Sequence, residues 1–182
     1  MLNSYTTLSS PPSSPPTALD IDTIAPPSSA LTCRPRSSLK VLLVDDNPIN
    51  LQLLRRALYT LFKINHMDMA YDGHQALKLL EHQPYDVILL DIDMPGMNGV
   101  DTARWIRGDQ EISTPSSTLP LVLDANKTIP IVAVTTSDSL EARIIYQNVG
   151  MDACLSKPII RSQLKSQLLQ LLGHSSSSLI SL

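Results

Sequence analysis

Three short runs of uninterrupted apolar residues constrain this chain more than any other feature: Val41-Leu42-Leu43-Val44, Val87-Ile88-Leu89-Leu90 and Ile131-Val132-Ala133-Val134. A strand with one wet face alternates apolar and polar residues. A strand that is apolar throughout is covered on both faces, as in a parallel sheet between helix layers. Helical periods separate the runs. Asn47-Pro48 offers an N-cap followed by proline at the first helical position. Ile49, Leu53, Leu54, Leu58 and Leu61 then recur at helical spacing. A weaker strand is expected near Ile64 to Ala70, and Asp72-Gly73 leads into a helix carrying Ala76, Leu77 and Leu80. Another helix covers about Gly99 to Arg107, and Asp138 with Glu141 three residues on resembles a capping box. Ala153 to Ser156 reads as a short last strand. Pro158 opens a final helix with Ile160, Leu164, Leu168 and Leu171 on one face, and Gly173 is placed to cap its end. Strands and helices that alternate in this way predict an α/β fold. The expected form is a flavodoxin-like, doubly wound, five-stranded parallel sheet in the order 2-1-3-4-5, with helices on both faces.

The flanks differ from this pattern. Residues 1–38 hold seven of the 14 prolines and nine serines but only four charges. Such a segment buries too little apolar surface to offset its ordering entropy, so a disordered Ser/Pro-rich tail is expected there. Ser10-Pro11 and Ser14-Pro15 within it are candidate sites for proline-directed kinases. Residues 39–172 form the folded unit, and 173–182 read as a flexible C-terminal tail. The stretch 108–129 is longer than a minimal fold of this kind needs. It is read as an accessory surface loop in which Leu121-Val122-Leu123 can pack locally. Asn126-Lys127-Thr128 inside it matches a glycosylation sequon, which would be idle in an intracellular protein.

Composition excludes several classes. The net charge of −3 leaves no basic footprint for nucleic acid or an anionic membrane. No apolar run approaches the roughly 18 residues of a membrane span, and the first residues lack the features of a secretory signal. Cys33 and Cys154 are too few for a disulfide scaffold or a cysteine-built metal site. A cytoplasmic protein is expected, with the nucleus as a second compartment. His66, His74, His82 and His174 are scattered without ligand spacing, and Trp105 reads as a packing residue.

Open parallel sheets bind ligands beyond the carboxyl ends of their strands, where the strand order reverses. The strand ends here are polar. The first closes on Asp45-Asp46, the third on Asp91 with Asp93 two residues later, the fourth on Thr135-Thr136 and the fifth on Lys157. One such Asp would pass as a helix cap, but four polar strand ends together do not. Carboxylates converging at the reversal repel unless a cation sits among them. Hard oxygen ligands without cysteine favour magnesium, and a lysine with a hydroxyl beside them suits phosphoryl oxygens. The pattern is that of a magnesium-dependent phosphoryl site whose only evident nucleophile is a carboxylate.

These motifs resemble the receiver domain of two-component response regulators. The acidic-pair strand is Val41 to Pro48. The acceptor strand and loop run from Tyr85 to Gly99, the switch strand from Ile129 to Thr135, and the lysine strand from Gly150 to Pro158. The resemblance implies that Asp91 accepts the phosphoryl group. Asp46, Asp91 and the Asp93 carbonyl would hold magnesium, with Asp45 acting directly or through water. Lys157 would pair with phosphoryl oxygens, Thr135 would turn toward them, and the Lys157-Pro158 bond would be cis. It further implies a histidine kinase or histidine phosphotransfer protein as donor, output through contacts with a downstream signalling protein, and likeness to small fungal stress response regulators.

Two departures stand out. Cys154 occupies a position where the family commonly has an aromatic residue that moves with the threonine, so the outward coupling is either weak or carried by another side chain. Asp93 sits where it can orient or repel an attacking water. Two other classes compete. Asp91-Ile92-Asp93 superficially matches haloacid-dehalogenase phosphatases, but in those the acidic pair comes late rather than first. A pseudo-receiver would bind partners indifferently to phosphodonor and magnesium. The expectation is a signalling protein with at most slow self-dephosphorylation.

Overall fold

The computed structural model describes residues 38–109 and 119–174. The expected N-terminal tail, Cys33, the Ser113 to Thr118 stretch and residues 175–182 lie outside them. Five strands, β1 (Lys40–Val44), β2 (His66–Ala70), β3 (Val87–Asp91), β4 (Ile131–Thr135) and β5 (Ala153–Ser156), form one sheet in the order β2-β1-β3-β4-β5. Every pairing is parallel, with Val44 opposite Leu90, Asp91 opposite Val134 and Thr135 opposite Ser156. Six helices are described: α1 (Pro48–Phe62), α2 (Gly73–His82), α3 (Gly99–Arg107), a single turn α4 (Asp124–Lys127), α5 (Leu140–Asn148) and α6 (Arg161–His174).

The period-2 alternation of side chains across each strand divides the core in two. Leu42, Val44, Ile88, Leu90 and Ala133 pack on one face with Ala76, Leu77, Leu80, Ala103, Ile106 and Tyr146. Val41, Leu43, Val87, Leu89, Val132 and Val134 pack on the other with Leu51, Leu54, Leu58, Leu164 and Leu168. Strands β3 and β4 are buried at every position, whereas β2 and β5, at the edges, are only half covered. That difference explains why the inner strands read as unbroken apolar runs and the edge strands do not.

Local chemistry sets the helix ends. Asn47 caps α1 by accepting from the Ile49 N–H, Asp72 caps α2 at Gln75, and Asn98 caps α3 at Asp101. Four expectations are corrected. In α1, Ile49 and Leu53 are 66% and 62% exposed, and the inward face is Leu51, Leu54, Ala57, Leu58 and Phe62. The helix is apolar nearly all round, so periodicity alone does not select the face. The cap of α5 is Ser139, accepting from Ala142, not Asp138. Helix α6 begins at Arg161 rather than beside Pro158, and it includes Gly173 instead of stopping before it; helix ends shift by a residue or two without strong caps.

The fourth correction concerns the 108–129 stretch. Its described second half is not a surface appendage. Leu119, Val122 and Ile129 are buried, and Asn126 is wholly inaccessible. The Asn126 amide accepts from the Tyr85 N–H and donates to the Leu80 and Gln83 carbonyls. Only Val122 of the 121–123 triplet faces the core; Leu121 is exposed. Trp105, as expected, is a packing residue, and its indole N–H donates to the Pro120 carbonyl at 3.0 Å. The sequon asparagine is therefore a structural lock between α4, α2 and the start of β3.

Candidate functional site

The parallel register brings the carboxyl ends of β1, β3, β4 and β5 to one edge of the sheet. Asp45, Asp46 and Asp91 each offer an oxygen within 4.8 Å of the others. Asp45 and Asp91 are buried and Asp46 is exposed, so the group is open to solvent on one side. From the far end of β5, Lys157 Nζ reaches Asp45 Oδ2 and Asp91 Oδ1, both at 2.9 Å. The Lys157-Pro158 bond is cis, as the resemblance implied.

The charges do not balance. Burial works against the Lys157 ammonium, yet hydrogen bonds from Lys157 to Asp91 and Asp45 raise its pKa overall. Burial pushes the Asp91 carboxyl above its usual value; the hydrogen bond from Lys157 opposes this and the charge of Asp45 adds to it. One cation thus serves two buried carboxylates, with a third close by, and Asp91 is left under-neutralised. A hard divalent cation with oxygen ligands fits that donor set.

Asp45 is fixed before any ligand arrives. It accepts from the Asn47 N–H at 2.9 Å, and the Asn50 amide donates to both its oxygens at 3.0 and 3.1 Å. Asn50 was not singled out by the sequence reading. Its position one turn into α1, five residues after Asp45, is the signal that was available. Behind Asp91, Gly99 opens α3 against the β3 backbone: a Cβ there would lie 2.2 Å from the Asp91 carbonyl oxygen. The Gly99 N–H donates to the Ile92 carbonyl at 3.0 Å. Only glycine permits this approach.

The Asp93 N–H lies 3.3 Å from Asp91 Oδ1. Its carboxylate is outside the acidic group and instead accepts from the Thr136 hydroxyl at 2.9 Å. Thr135 is buried at the end of β4, beside Asp91 in the sheet order. Its Oγ1 accepts from the Ser137 N–H at 3.0 Å and lies 3.2 Å from the Tyr146 hydroxyl. The structure thus brings Asp45, Asp46, Asp91 and Lys157 together, sets Thr135 at the neighbouring strand end, and turns the Asp93 side chain aside.

Cys154 neighbours a different cluster. Asp138 accepts from Arg143 Nη2 at 2.8 Å and from the Ser156 hydroxyl, and Cys154 Sγ lies 3.6 Å from it. Burial, then the charge of Asp138, pushes the Cys154 thiol up to about 11, so it is not a reactive thiolate. Among the described residues, no helix is long and apolar enough to cross a membrane.

Residues 41–169 match the model of the response regulator receiver domain. Stress response regulator protein 1 of Lodderomyces elongisporus is 34% identical over 120 residues, 66% of this chain and 29% of that protein. Its counterpart in Candida dubliniensis is 32% identical over 133 residues, 73% of this chain and 42% of that protein. The chain spans less than half the length of these curated relatives. Among solved structures, the receiver domain of a sensor histidine kinase of Pseudomonas aeruginosa, with magnesium coordinated in its active site cleft, is 29% identical. Its TM-score is 0.60 over 74% of this chain and 98% of that one. A chemotaxis protein of Vibrio cholerae is 27% identical, with a TM-score of 0.60 over 73% of this chain and 98% of that one.

Proposed function

Because the chain belongs to the response regulator receiver domain family, a module of two-component signalling, we propose that Asp91 is its phosphoacceptor and that a phosphohistidine protein is the donor. An Asp91 oxygen attacks phosphorus, the O–P bond forms as the N–P bond breaks, and the imidazole leaves with the bonding electrons. Lys157 is the cation that meets the transferred phosphoryl oxygens, and Thr135 is the hydroxyl that turns to them. Asp46, Asp91 and the Asp93 carbonyl would hold magnesium, with Asp45 acting directly or through water. Magnesium, when bound, offsets charge on the phosphoryl oxygens during transfer.

The observation that carries this reading is the single Lys157 ammonium shared between two buried carboxylates beside an exposed third. Such a site favours added positive charge beside its buried carboxylates, and it leaves one open side for a donor. The donor is a histidine kinase or a histidine phosphotransfer protein. The output is a phosphorylation-dependent contact with a downstream signalling protein on the face of the fourth and fifth strands and their helices. By analogy with the similar yeast proteins, the signal is one of stress, in the cytoplasm with the nucleus as a second compartment. We assign 39–172 as the receiver, its last helix running on to His174, with the residues on either side as flanking tails. No catalytic turnover of an external substrate is proposed, only slow loss of the protein's own phosphoryl group.

Incubation with a small phosphodonor and magnesium, followed by intact-mass measurement, tests this. A single phosphoryl increment is expected, absent without magnesium and absent in Asp91→Asn. An increment that persists in Asp91→Asn overturns the assignment.

A further inference from the structure

Helix α5 faces the sheet through one buried residue, Tyr146, 6% exposed. Its other large apolar side chains, Leu140, Ile144 and Ile145, point outward and are 72%, 48% and 48% exposed. The seating of α5 therefore depends on Tyr146 more than on any other of its residues. That side chain ends in a small closed circuit. The Ser137 N–H donates to Thr135 Oγ1 at 3.0 Å, Thr135 Oγ1 and the Tyr146 hydroxyl lie 3.2 Å apart, and the Tyr146 hydroxyl donates to the Ser137 carbonyl at 3.2 Å. Thr135 Oγ1 also lies 3.3 Å from the Ser137 carbonyl, so its one proton serves the Tyr146 hydroxyl and that carbonyl between them.

We propose that Tyr146 is the residue through which the state of Asp91 reaches α5. This rests on the reading of Thr135 as the hydroxyl that turns to a phosphoryl group on Asp91. Thr135 has one proton. Given to a phosphoryl oxygen, it is withdrawn from this circuit, and as Oγ1 moves the Tyr146 hydroxyl loses its Thr135 partner and the Ser137 N–H its acceptor. A buried hydroxyl deprived of its donor is costly enough to relocate. Room exists for the move: a cavity of about 210 Å³ lies against the ring, lined by Arg143, Tyr146, Gln147, Met151, Cys154 and Gln167 among others. A bulkier residue at 154 would intrude on that space. The ring and the helix carrying it then shift as a unit and re-present Leu140, Ile144 and Ile145. Tyr146 is a positioning residue: it touches Thr135 and not the reacting atoms.

The test is Tyr146→Phe in the full chain, which keeps the ring and deletes the hydroxyl. Hydrogen exchange is followed over residues 137–149 with and without the small phosphodonor and magnesium, and labelling is read in parallel by intact mass. In the resting variant, exchange across this segment should rise about fivefold, the effect of one neutral buried hydrogen bond. Labelling should match the wild type, while the donor-dependent change in exchange seen in the wild type should vanish. A merely structural tyrosine would leave that change intact. Retention of the full donor-dependent change in Tyr146→Phe overturns the proposal, as does resting exchange equal to wild type. If the wild type takes no label, the phosphoacceptor assignment itself fails, which the mass alone reveals, and Tyr146 is overturned as a signalling element with it.

Discussion

Lys157 Nζ stands 2.9 Å from Asp91 Oδ1, across the sheet from the end of β5 to the end of β3. The same ammonium lies 2.9 Å from Asp45. Before any phosphoryl group arrives, Lys157 is therefore the counterion of the site, and removing it strands two buried carboxylates. Lys157→Ala should lower stability by about 3 kcal/mol in metal-free buffer, since breaking a buried pair leaves uncompensated charge. Urea denaturation with and without magnesium checks this, and magnesium should recover part of the loss. The variant should still take a label on Asp91 but fail to alter α5.

A second consequence is that divalent cation binding and stability are linked. An ion that binds only the folded site stabilises by about 1.4 kcal/mol at ten times its dissociation constant. Thermal melts in a magnesium titration should therefore rise in wild type. Asp46 is exposed, so Asp46→Asn should change the metal-free melting temperature little and flatten the magnesium response. An undiminished response in Asp46→Asn would remove Asp46 from the ligand set.

Much of this was legible in the sequence, and the exceptions have physical causes. Strands β1, β3 and β4 were readable because burial on both faces leaves apolar every position but one at an end of each, and α3, expected over about Gly99 to Arg107, is bounded by caps at Asn98 and Gly108. The acidic strand ends needed only the sheet order to converge. What could not be read depends on distant partners. Asp138 looked like a helix cap, but Arg143 and Ser156 occupy its carboxylate, and the cap falls to Ser139. Asn126 looked like a surface sequon, and only the approach of α2 and β3 makes it a buried lock. Asn50 and Tyr146 look ordinary in a helix until the fold sets them against Asp45 and Thr135.

Asp138 also yields a pH prediction. The Arg143 guanidinium, then the Ser156 hydroxyl, hold its carboxyl at about 2. A carboxyl depressed in the folded state contributes stability above its unfolded value near 3.9 and loses it as pH falls toward 2. The pair is partly exposed, so its worth is about 1 kcal/mol at most. Wild type and Asp138→Asn should thus differ by that amount in denaturant melts at pH 6, and the gap should close between pH 4 and pH 2. A gap that widens on acidification would contradict the pairing.

Asn126 gives a further expected loss of stability. Its side chain satisfies the Tyr85 N–H and the Leu80 and Gln83 carbonyls from a fully buried position. Truncation leaves the Tyr85 N–H and the Gln83 carbonyl without this partner, while the Leu80 carbonyl keeps the Leu123 N–H at 3.1 Å. Asn126→Ala should cost about 2 kcal/mol, since each buried polar group left unmade costs about 1 kcal/mol or more. Asn126→Asp should do no better, because a carboxylate cannot donate to either carbonyl. Thr128→Ala, which destroys the sequon but leaves the lock intact, should be nearly neutral. Denaturation midpoints of the three variants separate a structural asparagine from a modified one: a large loss in Thr128→Ala with little in Asn126→Ala would reverse the assignment.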